Sequence, residues 1–331
     1  MSWNLAIDEP QRFELLAPGS IAAAVDLAVQ HGADAALLAG GCDLLDQLKH
    51  QWRTYRYVIN LKTIGGLQGI REEPAALRVG ALATLAQVAA SEPIRRLLPG
   101  YAEAASRVAT PQIRNLGTAG GNLLQDSRCP YYRGPWHCYR AGGIVCDAHH
   151  GINLEHAIFG GDRCYTVSPS DTAPMLVALD ALALVHDPGG ETTRPLAELF
   201  VSPGENIRMM HRLAAGQILT ELAIPLRPGR RSAFVKYAMR EAWDFAAASV
   251  AVAFLEQGGV CRECRVVLGG VAPLPWRSRS AEAVLEGRRL TPAIIEAAAA
   301  AAVEGADPLE HNGYKVALVQ KGVGEALAQL T

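Results

Sequence analysis

Between Ala109 and Asp171 the chain reads ATPQIRNLGTAGGNLLQDSRCPYYRGPWHCYRAGGIVCDAHHGINLEHAIFGGDRCYTVSPSD, and this stretch limits what the remainder can build more than any other. It opens on a glycine-rich turn, continues through four cysteines and closes on a Pro-Ser-Asp turn. Gly117, Gly120 and Gly121 remove side chains where backbone has to approach a ligand, and Thr118 and Asn122 offer a hydroxyl and an amide to phosphate or ribityl oxygens. Cys129, Cys138, Cys146 and Cys164 place four thiols in one polar, loop-like segment. Four thiolates form the ligand set of an iron–sulfur cluster or of a structural zinc.

At 331 residues, half of them hydrophobic and 19% charged, the chain reads as globular with two or three domains. A net charge of −2 supplies no electrostatic reason to bind nucleic acid or an anionic membrane. The start, MSWNLAIDEPQRF, has no basic region followed by an apolar run, and no later apolar stretch is long enough to span a bilayer. The expectation is a cytoplasmic protein without a membrane segment, the alternative being a periplasmic passenger exported with a partner. Seven cysteines, four of them in one segment, favour metal ligation over a disulfide framework in a reducing compartment.

Ser20 precedes IAAAVDLAVQ as the N-cap of a helix. Ala35 to Ala39 is a buried-strand run, Gly40-Gly41 turns the chain, and Asp43 to His50 has helical periodicity; strand, Gly-Gly turn and helix can aim backbone N–H groups at a diphosphate, although an ordinary tight turn reads the same way. Tyr57 to Leu61 is a second strand, and the following segment predicts a hairpin and a helix from Thr84. Tyr101 to Val108 predicts a helix that stops before Thr110-Pro111. ALALVHDPGGETTRPLAELF predicts strand, turn and short helix, ILTELAIPL a strand, and Pro225 to Gly229 a linker. The final third predicts three strands, at Ala233 to Arg240, Ser249 to Leu255 and VCRECRVVLGGVAP, then helices at Ser280 to Leu285, Thr291 to Val303 and Lys315 to Leu330. Cys261-Arg262-Glu263-Cys264 lies on a strand without a second cysteine pair, which argues against a redox or zinc half-site.

Three segments, AGGCDLL at Ala39 to Leu45, TPQIRNLGTAGGNLL at Thr110 to Leu124 and PSDTAPMLVALDA at Pro169 to Ala181, resemble the FAD-binding segments of the flavoprotein subunit of the xanthine dehydrogenase family of molybdenum hydroxylases. The likeness continues through FVKYAMREAWDFAAASVAVAF and LGGVAPLPWRSRSAE, so it covers nearly the whole chain in order. It implies an α+β fold: a two-part α/β FAD-binding domain (PCMH-like), residues 1–60 and 61–226, followed by a small domain at 230–331 with a three-stranded antiparallel sheet and helices. It implies FAD contacts from Ala39, Gly40, Gly41, Cys42, Asp43 and Leu44, from Thr110, Ile113, Asn115, Gly117, Thr118, Gly120, Gly121 and Asn122, and from Ser170 and Asp171. Lys236 matches the family's lysine near the isoalloxazine ring, and Phe200 to Gly204 the loop near the flavin.

The insertion at about 125–166 resembles the one in the β subunit of 4-hydroxybenzoyl-CoA reductase and in the flavin subunit of bacterial aldehyde oxidoreductases. There it carries a [4Fe–4S] cluster, with Cys129, Cys138, Cys146 and Cys164 at the ligand positions. A glycine-rich insertion without apolar periodicity also lacks a core of its own and would need a bound metal to be ordered. His137, His149, His150 and His156 are then surface or supporting residues, and Tyr131, Tyr132 and Trp136 cover the cluster from water.

The implied function is electron transfer between FAD, iron–sulfur clusters and an external carrier such as NAD or ferredoxin. The implied partners are a molybdenum-cofactor subunit and a [2Fe–2S] subunit, in a dimer of heterotrimers. No catalytic residue for substrate chemistry is expected on this chain. The alternatives are a freestanding FAD dehydrogenase, for which no motif supplies a catalytic base, and a zinc-stabilised binding subunit. The absence of Gly-x-Gly-x-x-Gly after the first strand argues against a nicotinamide-type fold.

Overall fold

The structure is a computed structural model that describes residues 12–331; the chain start, on which the no-leader expectation rests, lies outside the described residues. The first unit is β1 (Glu14–Leu16), α1 (Ile21–His31), β2 (Ala35–Leu38), α2 (Leu44–Lys49) and β3 (Tyr57–Asn60). Its three strands are parallel in the order β1-β3-β2. Ser20 caps α1 by accepting the Ala23 N–H, as its position predicts. Ala24, Val25 and Ala28 of α1 pack on Ile59 and Leu61. β1 was legible only as loop, because three residues before a Pro-Gly turn carry no periodicity.

The second unit contains β4 (Ile70–Glu72), β5 (Ala76–Gly80), α3 (Leu85–Ala90), α4 (Glu92–Leu97), α5 (Pro99–Ser106), α6 (Pro111–Leu116), α7 (Ala119–Leu124), α8 (Asp147–His150), α9 (Thr172–Ala178), β6 (Leu182–Asp187), β7 (Gly190–Pro195) and β8 (Ile218–Pro225). Its antiparallel sheet has the order β4-β5-β8-β6-β7. β7 forms a hairpin with β6 where strand, turn and helix were expected; Glu191 to Arg194 is polar and lies at the sheet edge, so no apolar face announces it. Thr84 and Gln87 close a reciprocal capping box on α3, with N–H···O distances of 2.8 and 3.1 Å. Thr84→Ala is expected to cost about 1 kcal/mol, read as a shift in the urea midpoint with an unchanged slope.

The third unit is β9 (Arg230–Tyr237), β10 (Ala248–Gln257), β11 (Val260–Gly269), β12 (Trp276–Arg277), α10 (Arg279–Leu285), α11 (Pro292–Ala301) and α12 (Tyr314–Ala328). Its sheet has four strands, β12-β11-β10-β9, rather than the three expected, since β12 is two residues long and carries no readable pattern. β10 is buried on both faces. Val250, Val252 and Phe254 join a core under the C-terminal helices, while Ala251 and Ala253 join the core of the second unit, so the strand reads as one apolar run. The Pro225–Gly229 segment is a tight turn, closed by Arg230 N–H on the Arg227 carbonyl, and Arg230 also holds the Leu179 carbonyl. Cys261 and Cys264 are buried on β11, their thiols raised by burial.

Candidate cofactor site

A cleft of about 1040 Å³ runs between the first and second units. Its floor is made by two glycine turns pressed against each other. A Cβ on Gly40 would land on the Leu116 carbonyl oxygen and meet the Gly117 Cα, and Gly41 has φ +83°, a conformation that excludes ordinary side chains. A Cβ on Gly120 would meet Ala81. These glycines are thus required first by backbone packing, and the bare peptide surface presented to the cleft follows from it. The segment from Thr110 to Leu124, read as a glycine-rich turn, forms the two short helices α6 and α7. Thr110 and Thr118 cap them by accepting the N–H of Ile113 and Gly121, and Pro111 occupies the first turn of α6.

Of the expected contact residues, Ala39, Gly40, Gly41, Cys42, Asp43, Leu44, Ile113, Gly117, Thr118, Gly120, Gly121, Asn122 and Asp171 line this cleft. Thr110, Asn115, Ser170 and Lys236 do not line it. Ser170 is buried behind the wall, donating to Asn122 Oδ1 (2.7 Å) and accepting the Ala173 N–H; Thr172 donates to the same oxygen (2.6 Å). The carbonyl end of Asn122 is therefore committed to the protein, and its NH₂ end is what it can offer a ligand. Asp43 is similarly committed: Oδ1 takes Arg133 (2.6 Å) and Arg128 (3.0 Å), and Oδ2 takes Gln47 and the Asp126 N–H, each at 2.8 Å.

The Lys236 side chain is turned into the protein and only 5% exposed. Its ammonium donates to Asp171 Oδ2 (2.7 Å) and to the carbonyls of Asp244 (2.9 Å) and Arg107 (3.0 Å), which engages all three of its protons. Burial pushes the Asp171 carboxyl above its usual range, with the Lys236 charge pulling it back. Lys236 consequently ties Asp171 and Asp244, which line the cleft, to the end of α5 at Arg107. Two strained residues meet beside it: Ala109 (φ +43°) and Trp243 (φ +59°), joined by a 3.1 Å hydrogen bond from the Trp243 N–H to the Ala109 carbonyl.

Sequence reasoning missed Arg53, Tyr55 and Arg128, among others, and two whole segments of the lining. One is Asn206 with Met209 to Leu219, the return of the loop whose outgoing half, Phe200 to Gly204, does not line the cleft. The other is Trp243, Asp244 and Phe245, in the turn between β9 and β10. Trp243 and Phe245 flanking Asp244 after the charged Arg240-Glu241 were the available signal.

A second, small cavity of about 20 Å³ is lined by Cys129, Cys138, Cys146 and Cys164 together. Backbone N–H groups two or three residues on turn back towards three of the sulfurs: Tyr131 and Tyr132 to Cys129, Arg140 and Ala141 to Cys138, Ala148 and His149 to Cys146. Such N–H···S turns accompany thiolate-bound metal centres. Burial raises the thiols of Cys138 and Cys146 and pushes Cys129 up to about 12, so ligation here would release protons. His156 Nε2 lies 3.2 Å from Cys129 Sγ, and burial together with the Lys315 charge lowers that imidazole to about 4. Among the described residues no three His, Cys, Asp or Glu side chains close on a single point as one metal ion requires. The donor set fits a thiolate-ligated group; the free volume is little more than that of a water, so seating one requires the loops to spread.

The insertion does not stand alone. Ile158 and Phe159 donate to the Val271 carbonyl, and Asn312 donates to the carbonyls of His156 and Ala157. Its second half thus borrows the core under the C-terminal helices, a source of order besides any metal. The two cavities share one wall. From Asp126 to Cys129 the chain is in neither helix nor strand, and its residues alternate: Asp126 and Arg128 line the cleft, Ser127 and Cys129 the thiol cavity.

Residues 11–227 match the FAD binding domain in molybdopterin dehydrogenase, and residues 233–330 the CO dehydrogenase flavoprotein C-terminal domain. The chain belongs to this flavoprotein family, that of the molybdenum hydroxylases. Within it, the chain is 32% identical to the aldehyde oxidoreductase FAD-binding subunit PaoB of Escherichia coli, over 92% of this chain and 93% of that one. It is 30% identical to the carbon monoxide dehydrogenase medium chain of Hydrogenophaga pseudoflava, over 96% of each. A solved structure of carbon monoxide dehydrogenase from Hydrogenophaga pseudoflava superposes with a TM-score of 0.76, covering 97% of this chain and 98% of that one at 30% identity. Family membership makes this an FAD-binding protein. No helix among the described residues is long and apolar enough to cross a membrane.

Proposed function

We propose that the chain is the electron-transfer subunit of a molybdenum-containing hydroxylase or reductase complex, with FAD in the large cleft and a [4Fe–4S] cluster in the thiol cavity. The observation that carries this reading is the shared wall, one backbone thick, whose alternate residues line the two cavities. A group on each side would lie within a short electron-transfer distance. The cleft fits FAD on its volume, at the upper end of small-molecule and cofactor sites, and on its two bare glycine turns beside Arg53 and Arg128.

Bound FAD supplies exchange of two electrons with a mobile carrier and of single electrons with an iron–sulfur centre. The chain's own residues hold and orient it. The glycine turns receive the diphosphate, the Asn122 amide is aimed by Ser170 and Thr172, and the Lys236–Asp171 pair fixes the inner wall. Substrate chemistry belongs to a molybdenum-cofactor subunit, with a [2Fe–2S] subunit between, in a dimer of heterotrimers; NAD, ferredoxin or another carrier meets the flavin. The family resemblance and the relatives' names support this assignment of partners.

The test is anaerobic quantification of iron, zinc and flavin on the purified chain, with spectra before and after dithionite. The expected result is about four irons and one FAD per chain, with Cys129→Ser and Cys164→Ser losing most of the iron and keeping the flavin. Stoichiometric zinc without iron would replace the cluster by a structural ion, and a chain devoid of flavin would sink the whole reading.

A further inference from the structure

Beside the four thiols lies a guanidinium that the protein leaves underpaired. The Arg140 side chain is 1% exposed, and the nearest carboxylate contact is Asp126 at 3.9 Å. That carboxylate is already shared with Arg53 (3.0 Å) and the Tyr132 hydroxyl (2.7 Å). Arg140 Nε and Nη1 are buried without a hydrogen-bond partner among the described residues. Arginine stays charged at every physiological pH, and a buried guanidinium without full pairing is costly. Arg140 lines the thiol cavity itself, opposite the Tyr132 ring.

We propose that Arg140 is a positioning residue that sets the reduction potential of the thiolate-bound centre, holding it higher than four cysteines alone would. The inference rests on the cluster reading above. A tetrathiolate cluster is anionic, and the reduced form carries one more negative charge than the oxidised form. A fixed cation beside the cavity, with donors free to reach its sulfurs, stabilises the reduced form more. His156, whose Nε2 lies against Cys129 Sγ, lines the same cavity.

The experiment is a redox titration of the full chain, purified anaerobically, followed by electron paramagnetic resonance with iron and flavin counted in parallel. Arg140→Gln is expected to keep its iron and to lower the reduction equilibrium constant of the cluster at least tenfold, a shift of about 59 mV for a one-electron couple. Arg140→Lys, which retains the charge, should stay within that margin of the wild type. The flavin potential should not move in either variant. An iron-loaded Arg140→Gln chain with an unchanged cluster potential overturns the inference. If Arg140→Gln loses its iron, Arg140→Lys decides: iron retained at the wild-type potential supports the role of the charge, and iron lost from both assigns Arg140 to the scaffold and overturns it. A wild-type chain without iron is a different failure, that of the cluster reading itself.

Discussion

Gly40→Ala strips FAD from the chain. The added Cβ falls on the Leu116 carbonyl oxygen, and both partners are backbone, so neither can swing aside as a side-chain tip would. Relief requires the β2–α2 turn or the α6–α7 junction to move, and both are walls of the cleft. The expected outcome is a loss of about 1–3 kcal/mol in stability and at least a tenfold rise in the FAD dissociation constant, about 1.4 kcal/mol. Flavin fluorescence on dilution measures the second quantity. Gly65→Ala is the control, because a Cβ there meets nothing within 4 Å. A Gly40→Ala chain that retains flavin at wild-type affinity would show that contact between the two turns is dispensable.

Lys236→Met has the larger effect on folding. Lys236 and Asp171 are 5% and 4% exposed in their side chains, and removing the ammonium leaves a carboxylate buried without its cation. Breaking one side of such a pair costs about 3–5 kcal/mol. Two carbonyls, of Arg107 and Asp244, lose their donor as well, which frees the Trp243–Phe245 turn at the cleft. The pH dependence has a definite sign. Burial already raises the Asp171 carboxyl above its usual 3.8, and without Lys236 it rises further. A carboxyl whose folded pKa is raised binds protons more readily in the folded state, so the stability it supports is present at low pH and falls as pH climbs from 3.8 through the folded value. Urea midpoints should therefore show a smaller penalty for Lys236→Met at pH 5 than at pH 8. Asp171→Asn combined with Lys236→Met should recover part of the loss. An equal penalty at both pH values would mean that the carboxylate is not what the lysine neutralises.

Local signals carried much of the fold. Ser20 and Thr84 announce helices because a cap bonds to an N–H three residues away, which any reading of neighbours can see, whereas Thr110 caps a helix that the glycine-rich reading of its segment had hidden. The buried runs at Ala35 and Tyr57 announce strands for the same reason, and the glycine motifs drew the two cleft floors out of the sequence together. Long-range partners were not visible in this way. Ser170 and Asp43 look like ligand contacts in a motif, yet their side chains are taken up by Asn122 in one case and by Arg133, Arg128, Gln47 and the Asp126 N–H in the other. β12 and β7 escaped because edge strands need no apolar alternation to pair.

By itself the sequence determined the family, its FAD cofactor, the cysteine-bearing insertion and the order of most helices and strands, since each rests on residues close together in the chain. Only the tertiary structure decided that all four cysteines line one cavity, that this cavity and the cleft share a wall, that the insertion leans on the C-terminal helices, and that Lys236 pairs with Asp171. The last two relations join residues 156 and 65 positions apart, and nothing in local periodicity or spacing encodes which distant donor a buried acceptor will meet.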